Sequence, residues 1–544
     1  MSRKQRLRKN ELKIKVVEPE KYQIKNKGWI FFLITVIVFV VYANGLNNAF
    51  VSDDIATIQE NINLLDLRDS LALSPNGFAF IIVRYFTALI AGSNPLPYRL
   101  VNVLFHAGSA NLLFAMLGPI VGFGAALPIA LIFGVHPLLT EGVTWISGAP
   151  YSGGTFLGLL AIYLYLKNQS LKKDWKSWII YIFSLSYFPI AISIAPILTV
   201  YEITQKTLRK NWSRLVFYWL GGFSLALVYV FSLLSVKVSS IAQQYGEQIV
   251  RPSIFLQTVV AISNYIQLFF WPNKLTLYHS EMIYNSSQVA WFSIITFWVL
   301  ALAVWGWFRD KRITFWTLWF LLGISITLNP FGANWIVAER YVYFGSIGLM
   351  VTVVLLYEKW IGNRMGRGFN LTVLSIILLA LGIKTMVRNS EWKNQDTLWF
   401  ATAKYSPSSA QNHNNLGDVY GRQKNFAKAV EEFSKAIEIN PRYADAYHNL
   451  GNAYISLGKI DEGEQSYQKS LEFNPKMWQS YSQLGAIYAY REDWSEAEKI
   501  VLQGISVTSD VNLWQVLGKI YTLEGKTEKA KEAFDQVAKL TVSN

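Results

Sequence analysis

Gly28 to Leu46 reads GWIFFLITVIVFVVYANGL, nineteen residues without a charge. A helix needs about 20 mainly apolar residues to cross a bilayer, so this stretch predicts a spanning helix. No small-residue cleavage site ends it, and it is read as an anchor rather than a removable leader. Upstream, residues 1–27 carry ten Lys/Arg against Glu11, Glu18 and Glu20. Such a tail ahead of an apolar span suits retention on the cytoplasmic side, next to anionic lipid. It supplies half of the net charge of +14, so the basic balance points to a membrane surface and not to nucleic acid.

The same apolar character continues downstream. The chain is 52% hydrophobic and only 16% charged, too apolar for an ordinary soluble surface. Further candidate spans lie near 99–117, 119–136, 151–166, 177–188, 190–203, 214–236, 290–308, 313–328, 341–357 and 371–387, which makes eleven. With the N-terminus inside, the cation-rich connections fall inside too: Lys167 to Lys176, Lys206 to Arg214, Arg309 to Arg312 and Lys359 to Arg367. The apolar stretch 254–271 is read as a helix lying at the outer interface, because a further span there would invert every later loop. An odd number of spans sets the C-terminal region outside. The two short segments on either side of Pro189 have an alternative as one kinked span, which would reverse that side. Cysteine is absent from the chain, so disulfide and thiolate chemistry are excluded.

From residue 389 the sequence turns water-soluble and repetitive. NLGDVY at Asn415–Tyr420 returns as NLGNAY at Asn449–Tyr454, QLGAIY at Gln483–Tyr488 and VLGKIY at Val516–Tyr521, while Pro407, Pro441 and Pro475 recur at the same step. This period is that of the tetratricopeptide repeat, a helical hairpin that stacks into a solenoid. Small residues at Gly417 and Ala429, and at Gly451 and Gly463, are expected to let paired helices approach, with Phe433 and Tyr467 filling the space between. The predicted organisation is all-α: a basic tail over 1–27, a multispanning domain over 28–388, and a repeat domain over 389–544 with about four repeats and a preceding half-repeat. Asn415, Asn449 and Asn452 are candidates for a peptide-binding groove; as capping or solvated residues they would serve structure alone.

Polar residues just outside the spans are the candidates for chemistry. Asn47–Glu60, NNAFVSDDIATIQE, sets Asp53 and Asp54 side by side after the first span. Adjacent carboxylates suit a general base, raise one another's pKa, and suit a divalent ion. Alone, such a pair is more often a solvated turn. Glu141 would bring a second acid from the next outer loop. Arg340, with Arg84, offers guanidinium charge suited to an anionic group such as a phosphate. His106 inside a span and His136 at the end of another are pocket candidates, with hydrogen-bonded packing as the plainer role.

Those stretches carry a resemblance. ANGLNNAFVSDD (Ala43–Asp54), RLVNVLFH (Arg99–His106), HPLLTEGVTWISG (His136–Gly148) and AERYVYFGSIG (Ala338–Gly348) resemble, in order, landmarks of the GT-C superfamily of glycosyltransferases. The likeness is to its transmembrane and tetratricopeptide-repeat O-mannosyltransferases and their bacterial relatives. It implies a polyprenyl-phosphate sugar as donor at the outer leaflet, Asp53 or Asp54 activating an acceptor hydroxyl, and a polypeptide acceptor brought by the repeats. The side implied is the extracytoplasmic face of a prokaryotic cell membrane, or the lumen of the endoplasmic reticulum in a eukaryote. Two places depart from the family. Ser186–Pro189 reads SYFP where a Lys-Glu pair is usual, and Ala149 and Pro150 stand where an Arg often follows Ser-Gly. The alternative these departures favour is a membrane-anchored repeat scaffold that keeps the fold without catalysis.

Overall fold

The computed structural model describes residues 28–61, 63–73, 77–168, 170–232, 253–280, 284–328, 336–508 and 510–543. The basic tail lies outside the described residues. All regular structure among them is helical, and the chain divides into two compact units, the first running to Ala401 and the second from Thr402. The first unit thus continues past the hydropathy boundary at 388. Trp392, Leu398 and Trp399 are buried, and an aromatic contact of 5.9 Å joins Trp399 to Tyr278.

Among the described residues of the first unit, five helical stretches are long and apolar enough to cross a membrane: Gly28–Gly45, Pro95–Val121, Ile146–Lys167, Ser286–Arg309 and Arg367–Glu391. Four shorter apolar helices accompany them, Phe78–Ala91, Phe123–Val135, Pro189–Gln205 and Ile254–Phe270. The eleven expected segments are therefore not of equal standing. Phe78–Ala91 was not among them; Arg84 interrupts its apolar run, yet its Ala79, Ile81, Thr87 and Ala88 are buried. The first and last of the long helices end side by side, since Asn389 Nδ2 donates to Val41 O at 2.9 Å.

The two short segments about Pro189 form a hairpin rather than one kinked span. Trp175–Tyr187 runs away from Asp174, Phe188 adopts an extended backbone, and Ile194–Gln205 comes back. The return is fixed by polar bonds at the far end. Tyr165 Oη donates to Glu202 Oε1 at 2.7 Å, while Arg214 donates to Tyr165 O at 2.7 Å and to Asp174 Oδ2 at 2.5 Å. Both ends of the hairpin are therefore tied to Tyr165, Glu202 directly and Asp174 through Arg214. Within a membrane such groups must be satisfied by one another, which makes this knot a strong constraint on where the hairpin turns.

The second unit is a row of antiparallel helix pairs: Ala410–Arg422 with Phe426–Ile439, Ala444–Ser456 with Ile460–Phe473, Trp478–Tyr490 with Trp494–Thr508, and Val511–Glu524 with Thr527–Ser543. Each pair closes over a glycine. A Cβ on Gly417 would lie 2.5 Å from Phe433, and one on Gly451 would lie 2.6 Å from Tyr467. The expected approach of paired helices is thus present, with those aromatics between them. The candidate groove asparagines are partly committed within the array. Asn449 Nδ2 donates to Asn414 Oδ1 at 3.0 Å, and Asn452 Oδ1 accepts from Tyr467 Oη at 2.7 Å.

Gly451→Ala places a methyl group against the Tyr467 ring. Overpacking of this kind typically costs about 1–3 kcal/mol. The expected result is a lower unfolding midpoint for the repeats, followed by circular dichroism of the full chain; an unchanged midpoint contradicts the close packing.

Candidate active site at the acid loop

The loop after the first long helix separates its two acids. Ser52 takes a positive φ of 54°, a left-handed conformation that is uncommon for a residue with a side chain. A π-helical turn, Ile55–Gln59, follows at once; such turns recur at functional sites. Between them Asp54 turns inward and is fully buried. Its Oδ1 accepts from Ser147 N at 2.8 Å and Ser147 Oγ at 2.6 Å, and Oδ2 accepts from Val51 N at 3.4 Å. Asp53 turns outward and is exposed. The two adjacent acids thus differ in burial and in partners.

Burial pushes the Asp54 carboxyl up to about 6, against the lowering effect of its Ser147 bonds and of Arg99. Arg99 is itself buried and donates to Thr144 O at 2.9 Å, to Ala49 O at 2.5 Å and to Asn48 O. One guanidinium thus ties the acid loop to the turn containing Ser147. Asn102, one helical turn on, donates to Val143 O at 3.2 Å and Trp145 O at 3.0 Å. Asn389 completes the clamp. It accepts from Thr144 Oγ1 at 2.7 Å and from Asn48 Nδ2, through its carbonyl, at 2.8 Å. Arg99, Ser147 and Asn389 were not singled out from the sequence. The available signal was a cation or amide at the end of an apolar helix, where a buried polar group needs a partner.

Asp53 lines a cavity of about 200 Å³ together with Thr57, Arg84, Tyr98, Ser147 and Tyr187, among others. Most of the remaining lining is apolar: Ile58, Phe80, Val83, Val101, Ile146, Ala149 and Pro150. The Arg84 guanidinium lies 5.4 Å from the Phe80 ring centre, and no described carboxylate pairs with it. An arginine without a counter-ion in such a cavity is suited to a phosphate or another anion. Both places of departure bear on this cavity. Ala149, Pro150 and Tyr187 line it, and Ser186 Oγ accepts from Ala79 N at 2.8 Å, fixing the start of the helix that carries Arg84.

Arg340 is already committed. Its backbone N–H donates to Glu141 Oε2 at 2.9 Å, its Nη1 donates to Glu141 Oε1, and its guanidinium lies 5.5 Å from the Trp145 ring centre. Beside it, Arg388 binds Glu339 at 3.0 Å and Glu391 at 2.5 Å. Burial and the guanidinium groups of Arg388 and Arg340 push His279 down to about 3, so it is neutral there. His106 Nε2 donates to Gly134 O at 3.2 Å, leaving Nδ1 to accept from Tyr343 Oη at 2.6 Å. His136 accepts from Leu138 N, donates to Phe269 O at 3.0 Å and stacks on the Phe269 ring. The structure thus brings Asp53 and Arg84 to one cavity, pairs Glu141 with Arg340, and gives both ring nitrogens of each span histidine a partner. Among the described residues, no three His, Asp or Glu side chains gather as a metal-ligand set.

Family models for the TPR repeat match residues 422–458, and models for the tetratricopeptide repeat match 444–477 and 511–541. A protein O-mannosyl-transferase of Caenorhabditis elegans is 24% identical over 371 residues, covering 64% of this chain and 52% of the relative. The protein O-mannosyl-transferase TMTC3 of Mus musculus is 23% identical over 472 residues, covering 75% and 51%. The curated relatives are protein O-mannosyl-transferases. The chain spans about half the length of these protein O-mannosyl-transferases. A solved thermophilic TPR protein of Thermus thermophilus is 19% identical, with a TM-score of 0.25, covering 30% of this chain and 87% of that one.

The Asp54 carboxyl makes a pH prediction. Its value rises from 3.8 to about 6 in the folded chain, so the folded state holds the proton more tightly than the unfolded state. Stability from this group is present below 3.8 and is lost as pH rises through about 6. Asp54→Asn cannot ionise. The unfolding midpoint of the native chain should therefore fall relative to that of Asp54→Asn across this window, and a constant difference contradicts the buried placement.

Proposed function

We propose that this chain is a membrane glycosyltransferase that moves a hexose, mannose in the first instance, from a polyprenyl phosphate to a Ser or Thr hydroxyl of a polypeptide. The observation that carries the reading is the cavity where an exposed acid, Asp53, and an arginine without a carboxylate partner, Arg84, share one largely apolar wall. Similarity to protein O-mannosyl-transferases supports the reaction class. In this reading Asp53 takes the proton of the acceptor hydroxyl as its oxygen bonds to the anomeric carbon. The bond from that carbon to the phosphate oxygen breaks, and the phosphate leaves with the electron pair beside Arg84. Positioning and charge placement supply the catalysis. Asp54, held by Ser147, shapes the loop that aims Asp53.

The repeats bring the polypeptide. Charge bias along the sequence puts them on the side of the acid loop, which is the extracytoplasmic face of a prokaryotic cell membrane or the lumenal face of the endoplasmic reticulum. A scaffold without catalysis is the second reading. It is favoured by one observation: Ala149 and Pro150, where the family often carries an arginine, line the same cavity.

Purified chain supplied with polyprenyl-phosphate mannose and peptides retained by the repeats should add hexose mass to Ser or Thr. Asp53→Asn should lower the rate about 10²–10⁴-fold, the usual contribution of a general base. Arg84→Gln should weaken donor use by about tenfold or more, as loss of a charge-assisted contact does. Peptide capture without mass gain across polyprenyl-linked hexoses would instead support the scaffold.

A further inference from the structure

The end of the membrane unit opposite the acid cavity carries a second assembled feature. Ala149, on the cavity wall, and Tyr165 belong to one helix, and sixteen residues at 1.5 Å each separate them by about 24 Å. Around Tyr165 meet two connections, 167–176 and 202–214. From Tyr163 to Arg214 the only acids in the sequence are Asp174 and Glu202, and both are buried. Asp174 is held by Arg214 at 2.5 Å. Glu202 accepts from Tyr165 Oη, from Thr207 Oγ1 at 2.5 Å and from Asn211 Nδ2 at 2.7 Å. Every negative charge of the region is thus consumed inside the knot.

The cations face the other way. Lys172, Lys173 and Lys176 on the first connection, and Lys206, Arg209 and Lys210 on the second, are all exposed, and none makes an ion pair with a described carboxylate. Trp175 and Trp212 stand exposed among them. Membrane sidedness needs only scattered cations on one side. Here the Arg214–Asp174 bond also gathers two cation-bearing connections at one place, with aromatic side chains of the kind that settle at the level of lipid headgroups. We propose that this face is a binding site for anionic phospholipid headgroups, which the six cations hold by their phosphates while Trp175 and Trp212 sit at the headgroup boundary. The site is independent of the transferase reading.

The chain contains no cysteine, so Ser213→Cys, at an exposed position, provides a single labelling point in the full-length protein. A fluorophore there, in bilayer nanodiscs of phosphatidylcholine doped with trace brominated lipid, reports which lipid resides nearby. Brominated phosphatidylglycerol should quench at about tenfold lower mole fraction than brominated phosphatidylcholine, a modest result for several cations each attracting anionic lipid. The preference should vanish in Lys172→Gln/Lys173→Gln/Arg209→Gln/Lys210→Gln and fade in the native background as salt is raised. These side chains are solvent-facing, and an unchanged size-exclusion profile checks the fold of the variant. Equal quenching by the two lipids, a preference that survives neutralisation, or one abolished equally by soluble glycerophosphate would overturn the proposal.

Discussion

The membrane unit depends on Arg99. Its guanidinium is buried and reaches carbonyl oxygens on both the acid loop and the turn at 141–148. A buried guanidinium left without acceptors would be costly, so the two loops are held against each other for as long as the helix core excludes water. Asn389 adds the end of the last long helix to the same clamp. Asp54 is then the consequence of this arrangement: with Ser147 brought near, the carboxylate has two donors waiting and can be buried.

The opposite end of the unit solves the same problem with different groups. There, Asp174 and Glu202 are satisfied by Arg214, Tyr165, Thr207 and Asn211, and the hairpin about Pro189 is closed by those bonds. At both ends, long-range hydrogen bonds between loops decide the path of the chain, since hydrophobic attraction is nearly indifferent to which apolar helix lies beside which in lipid. Asp53 and Arg84 line the cavity at one end, and six exposed cations stand at the other.

Much of this was legible residue by residue, and the exceptions are instructive. Gly451 and Tyr467 could be paired from the repeat period alone, and the structure sets them in contact. Phe78–Ala91 was missed because Arg84 breaks its apolar run, although the helix lines the cavity through Phe80, Val83, Arg84 and Thr87. Arg340 and Arg84 read alike as phosphate partners. Only the former meets a carboxylate, Glu141, nearly two hundred residues away along the chain.

The sequence by itself determined a helical membrane unit followed by tetratricopeptide hairpins, because hydropathy and repeat period are properties of neighbouring residues and survive without knowledge of the fold. It also marked the acid loop as the place to look. The tertiary structure decided which of two adjacent aspartates faces a cavity, which arginine remains uncommitted, and that the segments about Pro189 are a hairpin. Those outcomes rest on partners such as Ser147, Glu141 and Tyr165, brought in from distant parts of the chain. A side chain's chemistry in a low-dielectric interior is set by its partners, and partnership is a three-dimensional property.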